Sequence, residues 1–244
     1  MKKVLLAVLL AGVTLSATAA QTIRFATEAS YPPFESIDAN NKIVGFDVDL
    51  ANALCKEIDA TCTFSNQAFD SLIPSLKFRR IDAVMAGMDI TPEREKQVLF
   101  TTPYYDNSAL FIGQKGKYAS VDLLKGKKVG VQNGTIQVPI ANELAGEENV
   151  VGLVKAQDLI MELKSGKLDV VYIDYTAALA FAAANDDLTV KDIGIESDSE
   201  GQCIGVQKGN EDFVAYLNEK IAEMQKQGLI DQYVAEAQTL AGIE

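Results

Sequence analysis

Leu76-Lys77-Phe78-Arg79-Arg80-Ile81-Asp82-Ala83-Val84 is answered further along the chain by Leu163-Lys164-Ser165-Gly166-Lys167-Leu168-Asp169-Val170-Val171. Each stretch reads as the end of a helix followed by a buried strand. A unit that recurs once in this way predicts two similar α/β lobes, each with its own sheet. Ligands of such sheets bind beyond the carboxyl ends of the strands. Five residues past the two aspartates stand Gly87 and Asp174, so both are expected to border a cleft between the lobes.

Outward from this echo, apolar runs alternate with amphipathic stretches, the pattern of an α/β protein. Ile23–Thr27 reads as a strand, and Asp47–Ile58 as a helix with Leu50, Ala51, Leu54, Cys55 and Ile58 on one apolar stripe. Ser71–Phe78 reads as a second helix and Ile81–Ala86 as a buried strand. Thr91-Pro92 opens a third helix with a hydroxyl cap and proline at its first position. Val129–Val131 is a strand, Ser108–Gly113 and Gly201–Val206 are the crossovers, and Tyr118–Lys128 is a surface approach. The last helix is Glu211–Gln227, with Phe213, Leu217, Ile221 and Met224 packed inward.

The chain begins with a secretory pattern: Lys2 and Lys3, an apolar run from Val4 to Val13 too short to span a bilayer, and the small residues Ala17-Thr18-Ala19. Residues 1–19 are therefore read as a signal peptide cleaved after Ala19 or Ala20, which exports the chain. The net charge of −12 argues against nucleic acid and anionic lipid as partners. Histidine is absent, which removes Ser-His-Asp and Cys-His catalysis and most zinc sites. Cys55 and Cys62 lie seven apart in an exported chain and are expected to form a disulfide, with Cys203 left as a buried filler.

Several residues carry recognition chemistry. Arg94, in the first turn after Thr91-Pro92, offers a planar fork for a carboxylate, or else is a solvated surface charge. Free backbone N–H groups near Gly87 and Asp89 add to that grip. Gly134-Thr135, between a strand and a helix, forms an anion-binding turn or an ordinary βα connection. Asp174 ends the run Val170–Ile173, placed either to pair with an ammonium group or to cap the helix Tyr175–Ala184. Glu28, Tyr31 and Phe69 suit a pocket in which two aromatic faces sandwich a cationic side chain and a carboxylate meets its tip; each aromatic taken singly also suits a core.

Tyr31-Pro32-Pro33-Phe34, Gly45-Phe46-Asp47-Val48-Asp49-Leu50, Phe69-Asp70-Ser71-Leu72-Ile73-Pro74-Ser75-Leu76 and Gly87-Met88-Asp89-Ile90-Thr91-Pro92-Glu93-Arg94 resemble the polar amino-acid-binding proteins of ABC transport, solute-binding protein family 3. Up to about Gly134 the likeness is strongest to the arginine binders. The resemblance implies an α/β, type II periplasmic binding-protein fold: two lobes, each a central sheet flanked by helices, joined by two hinge strands. It places lobe one at residues 20–108 and 202–244 and lobe two at 109–201. It implies that Arg94 holds the α-carboxylate, that Asp174 holds the α-ammonium group, and that Tyr31 and Phe69 are aromatic walls. Glu28 falls where a basic side chain is met, and Ala86, Gly87 and Asp89 match a ligand-facing turn. The chain departs from the arginine and histidine binders at Ile136, where a second hydroxyl is lost. Thr135, Gln137 or a backbone N–H is then expected to complete the carboxylate clamp.

The expectation is a monomeric periplasmic protein that captures a polar L-amino acid, arginine favoured, by hinged closure and passes it to a membrane ABC permease. It involves no cofactor, no metal, no catalytic residue and no nucleic acid. A glutamine or other polar amino-acid binder is the alternative that the break at Ile136 leaves open. A sensory module docking on a membrane receptor is a further class. A dehydratase-like enzyme on the same scaffold would instead use Glu28 or Asp174 as acid or base, and turnover of a bound carboxylate would reveal it.

Overall fold

The structure, a computed structural model, describes residues 21–106, 108–117, 124–192, 194–195 and 199–243. The leader at residues 1–19 and residues 118–123 of the surface approach lie outside the described residues. In chain order the first part runs β1 (Thr22–Thr27), β2 (Ser36–Ile37), β3 (Ile43–Val44), α1 (Phe46–Glu57), β4 (Thr61–Asn66), α2 (Leu72–Lys77), β5 (Ala83–Val84), α3 (Pro92–Glu95) and β6 (Leu99–Phe100). Next come β7 (Ala109–Gln114), β8 (Val129–Gln132), α4 (Gln137–Ala145), β9 (Val150–Leu153), α5 (Ala156–Lys164), β10 (Val170–Asp174), α6 (Tyr175–Ala183) and β11 (Leu188–Lys191). The chain then returns through β12 (Gly205–Val206) to α7 (Glu211–Lys226) and α8 (Leu229–Leu240).

Two five-stranded sheets form, in the orders β4-β1-β5-β12-β6 and β11-β7-β10-β8-β9. Each contains a parallel trio, β4-β1-β5 and β9-β8-β10, flanked by an antiparallel strand, β12 or β7. The sequence echo occupies equivalent places in the two, α2 to β5 and α5 to β10. Its aspartates do the same work. The Asp82 carboxylate accepts the Arg24 N–H at 2.9 Å while the Asp82 N–H donates to Arg24 O at 2.8 Å. Asp169 makes the same pair with Lys128, at 2.9 and 2.8 Å. Each aspartate thus fixes the register of its strand against the first parallel strand of its sheet.

Alternate residues of β10 face opposite layers, as a strand covered on both sides requires. Val170 and Tyr172 pack with Val129, Val131 and Ala141 beneath α4, and Val171 and Ile173 with Leu159, Leu163 and Phe181 beneath α5 and α6. In the first sheet Ala26, Val84 and Ala86 pack against Leu72 and Leu76 of α2, while α1, α7 and α8 cover the other face. The α1 stripe holds as expected at Leu50, Ala51, Leu54 and Cys55, with Ile58 half-buried, and Asp47 is buried on the same helix. Cys55 and Cys62 are bonded, and Cys203 is buried.

Several expectations are corrected. β5 pairs over Ala83–Val84 alone, because β12 matches it at only those two positions. The helix opened by Thr91-Pro92 is a single turn, although Thr91 caps it as expected by accepting the Arg94 N–H at 3.2 Å. The chain does not end on α7: Gly228, at φ 71°, turns it into α8. The left-handed backbone that glycine permits hid a second helix behind an apparent stop. The crossovers centre on Tyr104–Tyr105 and Gln202, where Gln202 N–H donates to Tyr105 O at 2.7 Å and Tyr104 N–H to Gln202 O at 2.9 Å. Gln202 lies within the expected second crossover, Gly201–Val206, while the first lies just ahead of the expected Ser108–Gly113, most of which is β7.

Candidate functional site

The carboxyl ends of β1, β5, β8 and β10 converge from the two sheets, and the loops beyond them enclose one cleft. It is lined by Glu28, Tyr31, Glu35, Phe69, Ala86, Gly87, Asp89, Arg94, Gln132, Thr135, Gln137 and Asp174. Every residue expected from the sequence is therefore in one place. Glu35 and Gln132 are additions. Larger grooves flank the cleft, one lined by Pro92, Ile136 and Ile140 and one by Ile37, Lys155 and Met161, but neither gathers the charged set.

Arg94 is only 8% exposed, which excludes the solvated surface charge. Its guanidinium lies 5.4 Å from the centroid of the Phe69 ring, so Phe69 supports Arg94 as a cation–π platform. Two of its five N–H donors go to carbonyls, Asp89 O and, at 3.0 Å from Nη2, Gly134 O. Three remain for an anion. Burial pulls its pKa down, and Asp89 and Asp174 hold the charge in place.

Asp174 occupies the cap position of α6, yet its side chain makes no capping bond. It turns into the cleft instead, where Gln137 Nε2 donates to Oδ1 at 2.6 Å and Gln202 Nε2 to Oδ2 at 3.4 Å. The Asp174 N–H donates to the Tyr31 hydroxyl at 3.3 Å, a bond from one sheet's loops to the other's. Burial, reinforced by the charge of Asp89, pushes the Asp174 carboxyl up to about 8. Asp89 is itself raised by burial and accepts from the Ser199 hydroxyl.

Glu28 is buried with Oε2 accepting from Ser30 Oγ at 2.8 Å and from Gln132 Nε2, across the cleft, at 2.9 Å. Burial raises its pKa above the ordinary carboxylate value. The other expected donors are committed elsewhere. Gly87 N–H donates to Asp47 Oδ2 at 2.8 Å. Thr135 Oγ1 donates to Gln132 O at 2.8 Å, and Gln137 serves Asp174.

Five groups escaped the sequence reading. Glu35 and Asp47 are buried carboxyls behind the Gly87 turn, and the Tyr104 hydroxyl lies 3.0 Å from both Asp47 oxygens. Gln132 and Gln202 each donate to an expected carboxylate. The signal for Asp47 was available: it shares the α1 face of Leu50, Ala51 and Leu54, where a charge is out of place. The glutamines carry no such mark, because only the tertiary fold brings them to the cleft.

Four lining carboxyls surround one guanidinium, and burial raises all four, so in the ligand-free cleft bound protons as well as Arg94 offset them. The folded pKa values of Asp174 and Asp47, about 8 and about 7, stand above the ordinary value near 4. An acid raised on folding favours the native state below its unfolded pKa, and that contribution is lost as pH rises through its folded pKa. The ligand-free chain should therefore melt at progressively lower temperature from about pH 5 to about pH 8.5. A melting profile by circular dichroism that stays flat or rises over that range would contradict burial of these acids.

A model of the bacterial extracellular solute-binding proteins, family 3, matches residues 23–236. The chain is 61% identical over 235 residues to "Putative ABC transporter arginine-binding protein 2" of Escherichia coli (strain K12), covering 93% of this chain and 95% of the relative. Among solved structures, it is similar to an amino acid ABC transporter substrate-binding protein of Streptococcus pneumoniae bound to L-arginine. The TM-score is 0.85 at 31% identity, over 91% of this chain and 96% of that one. It is also similar to an ancestral arginine-binding protein bound to glutamine, with TM-score 0.82 at 37% identity, over 89% and 98% of the two chains.

Proposed function

The chain belongs to family 3 of the bacterial extracellular solute-binding proteins, and from that premise we propose that it captures a basic L-amino acid, arginine first, in the periplasm and delivers it to an ABC permease. The observation that carries the choice of a basic ligand is the buried Glu28 in the lining of a cleft already rich in carboxyls. A neutral side chain leaves that charge desolvated and unpaired, whereas a guanidinium pairs with it.

The geometry supports one division of labour. The three open N–H donors of Arg94 take the α-carboxylate, and Asp174, held by Gln137 and Gln202, takes the α-ammonium group. Tyr31 walls the side chain, and Glu28 meets its tip. Ala86, Gly87 and Asp89 shape the floor. Lobe one, residues 20–108 with 202–244, and lobe two, residues 109–201, hinge at the two crossovers. Closure is sensed by bonds that span them: Arg94 to Gly134 O, Gln132 to Glu28, and Asp174 N–H to Tyr31. Thr135 holds the Gly134 turn in shape through its bond to Gln132 O. The chain works as a monomer, without cofactor or metal, and performs no chemistry on what it binds.

Glutamine is the second reading, favoured by the departure at Ile136 and by the similar ancestral protein bound to glutamine. Calorimetric titration of the mature, ligand-stripped protein with L-arginine, then lysine, ornithine, histidine and glutamine, decides between them. Micromolar or tighter binding of arginine, about −8 kcal/mol, with weak glutamine binding is expected. Preference for glutamine would overturn the basic assignment.

A further inference from the structure

Behind Glu28 lies a second acidic centre that the clamp does not use. Glu35 lines the cleft, is 1% exposed, and its Oε2 has no hydrogen-bond partner among the described residues. Its backbone is locked to Tyr31 by bonds of 2.8 and 3.1 Å, so the side chain cannot drift away. Asp47, from the first turn of α1, faces it and is itself held by the Gly87 N–H and the Tyr104 hydroxyl. The other ionisable groups around the pair are Glu28 from the end of β1, Tyr31, Tyr104 and, behind Tyr104, Cys203. The surroundings of the pair are acids, phenols, a thiol and the Thr27 hydroxyl; the cations Arg94 and Lys155 act on Asp89 and Asp174 and on Glu28 rather than on the pair.

Two buried carboxyls facing each other without a cation hold a proton between them, because like charges at low dielectric do not both ionise. We infer that Glu35 is a specificity-determining residue: when a cationic side chain seats beside Glu28, the Glu35–Asp47 pair releases its shared proton to solvent. A basic ligand then meets one more negative charge than a neutral ligand does. Burial first, and the charge of Asp47 second, hold Glu35 well above the ordinary carboxylate range, and burial pushes Asp47 up to about 7. The inference rests on the basic-ligand reading above.

The test is calorimetry of L-arginine binding in buffers of different ionisation enthalpy, which counts the protons released. Asp174 releases one at most on meeting the ammonium group, and Glu28, also raised by burial, adds to this on meeting the guanidinium. At about pH 6 the wild type should therefore release clearly more than one proton, and the share lost in Glu35→Gln belongs to the pair. Glu35→Gln should lower the count by about one and weaken binding of arginine about tenfold more than binding of the neutral isostere citrulline. An unchanged proton count in the variant, or a weakening equal for arginine and citrulline, would overturn the inference. Should the variant not fold, a wild-type count of one or fewer at about pH 6 overturns it alone. No arginine binding by the wild type would instead defeat the basic-ligand reading, a distinct outcome.

Discussion

Arg94→Ala should weaken L-arginine binding by about 100-fold or more, roughly 3 kcal/mol, with the fold intact. The buried guanidinium is poised on Phe69 with two donors on carbonyls, and among the described residues no other cation lines the cleft. Its removal leaves the ligand carboxylate buried beside Asp89 and Asp174, where repulsion adds to the lost bonds. Arg94→Lys should recover little, because an ammonium cannot reproduce a bidentate fork while holding two carbonyls. Calorimetry gives the affinity and circular dichroism the fold. A loss under about tenfold would mean the carboxylate is held elsewhere.

Asp174→Asn should produce an effect of similar size, about 100-fold, with the opposite consequence for the ligand-free protein. Removing one partner of a buried ion pair costs about 3–5 kcal/mol, here borne by the ligand's ammonium group. In the ligand-free chain the same carboxylate is a liability, since burial holds its pKa near 8. Asparagine keeps an acceptor for Gln137, and its amide can donate to Gln202 Oε1, which has no partner among the described residues. Thermal melting near pH 8.5 should therefore show the variant at least as stable as the wild type, while calorimetry shows it unable to hold arginine. A variant that binds normally would remove Asp174 from the clamp.

What was legible in the sequence was whatever chemistry is written in consecutive residues. The echo ending at Val84 and Val171 gave two sheets, and counting five residues past Asp82 and Asp169 placed Gly87 and Asp174 at one cleft. Thr91-Pro92 gave the start of the helix that carries Arg94. The partners of these groups were not legible. Gln132 reaches Glu28 only because β8 ends opposite β1, and Gln202 meets Asp174 only because the second crossover passes between the sheets. The expected use of Thr135 and Gln137 as carboxylate donors did not foresee that one would satisfy its own turn and the other would steady Asp174. Helix α8 was hidden by Gly228, because a glycine that ends one helix is the same signal whether or not another follows.

The most direct test of the central claim, that this cleft reads the charge of a side-chain tip through Glu28, is a comparison of L-arginine with L-citrulline. The two share shape and α-groups and differ in charge. Calorimetric titration of the stripped wild type and of Glu28→Gln gives four affinities. The wild type should prefer arginine by about 100-fold or more, and Glu28→Gln should narrow the preference to about tenfold or less. Equal binding of arginine and citrulline by the wild type, or an undiminished preference in the variant, would contradict the claim.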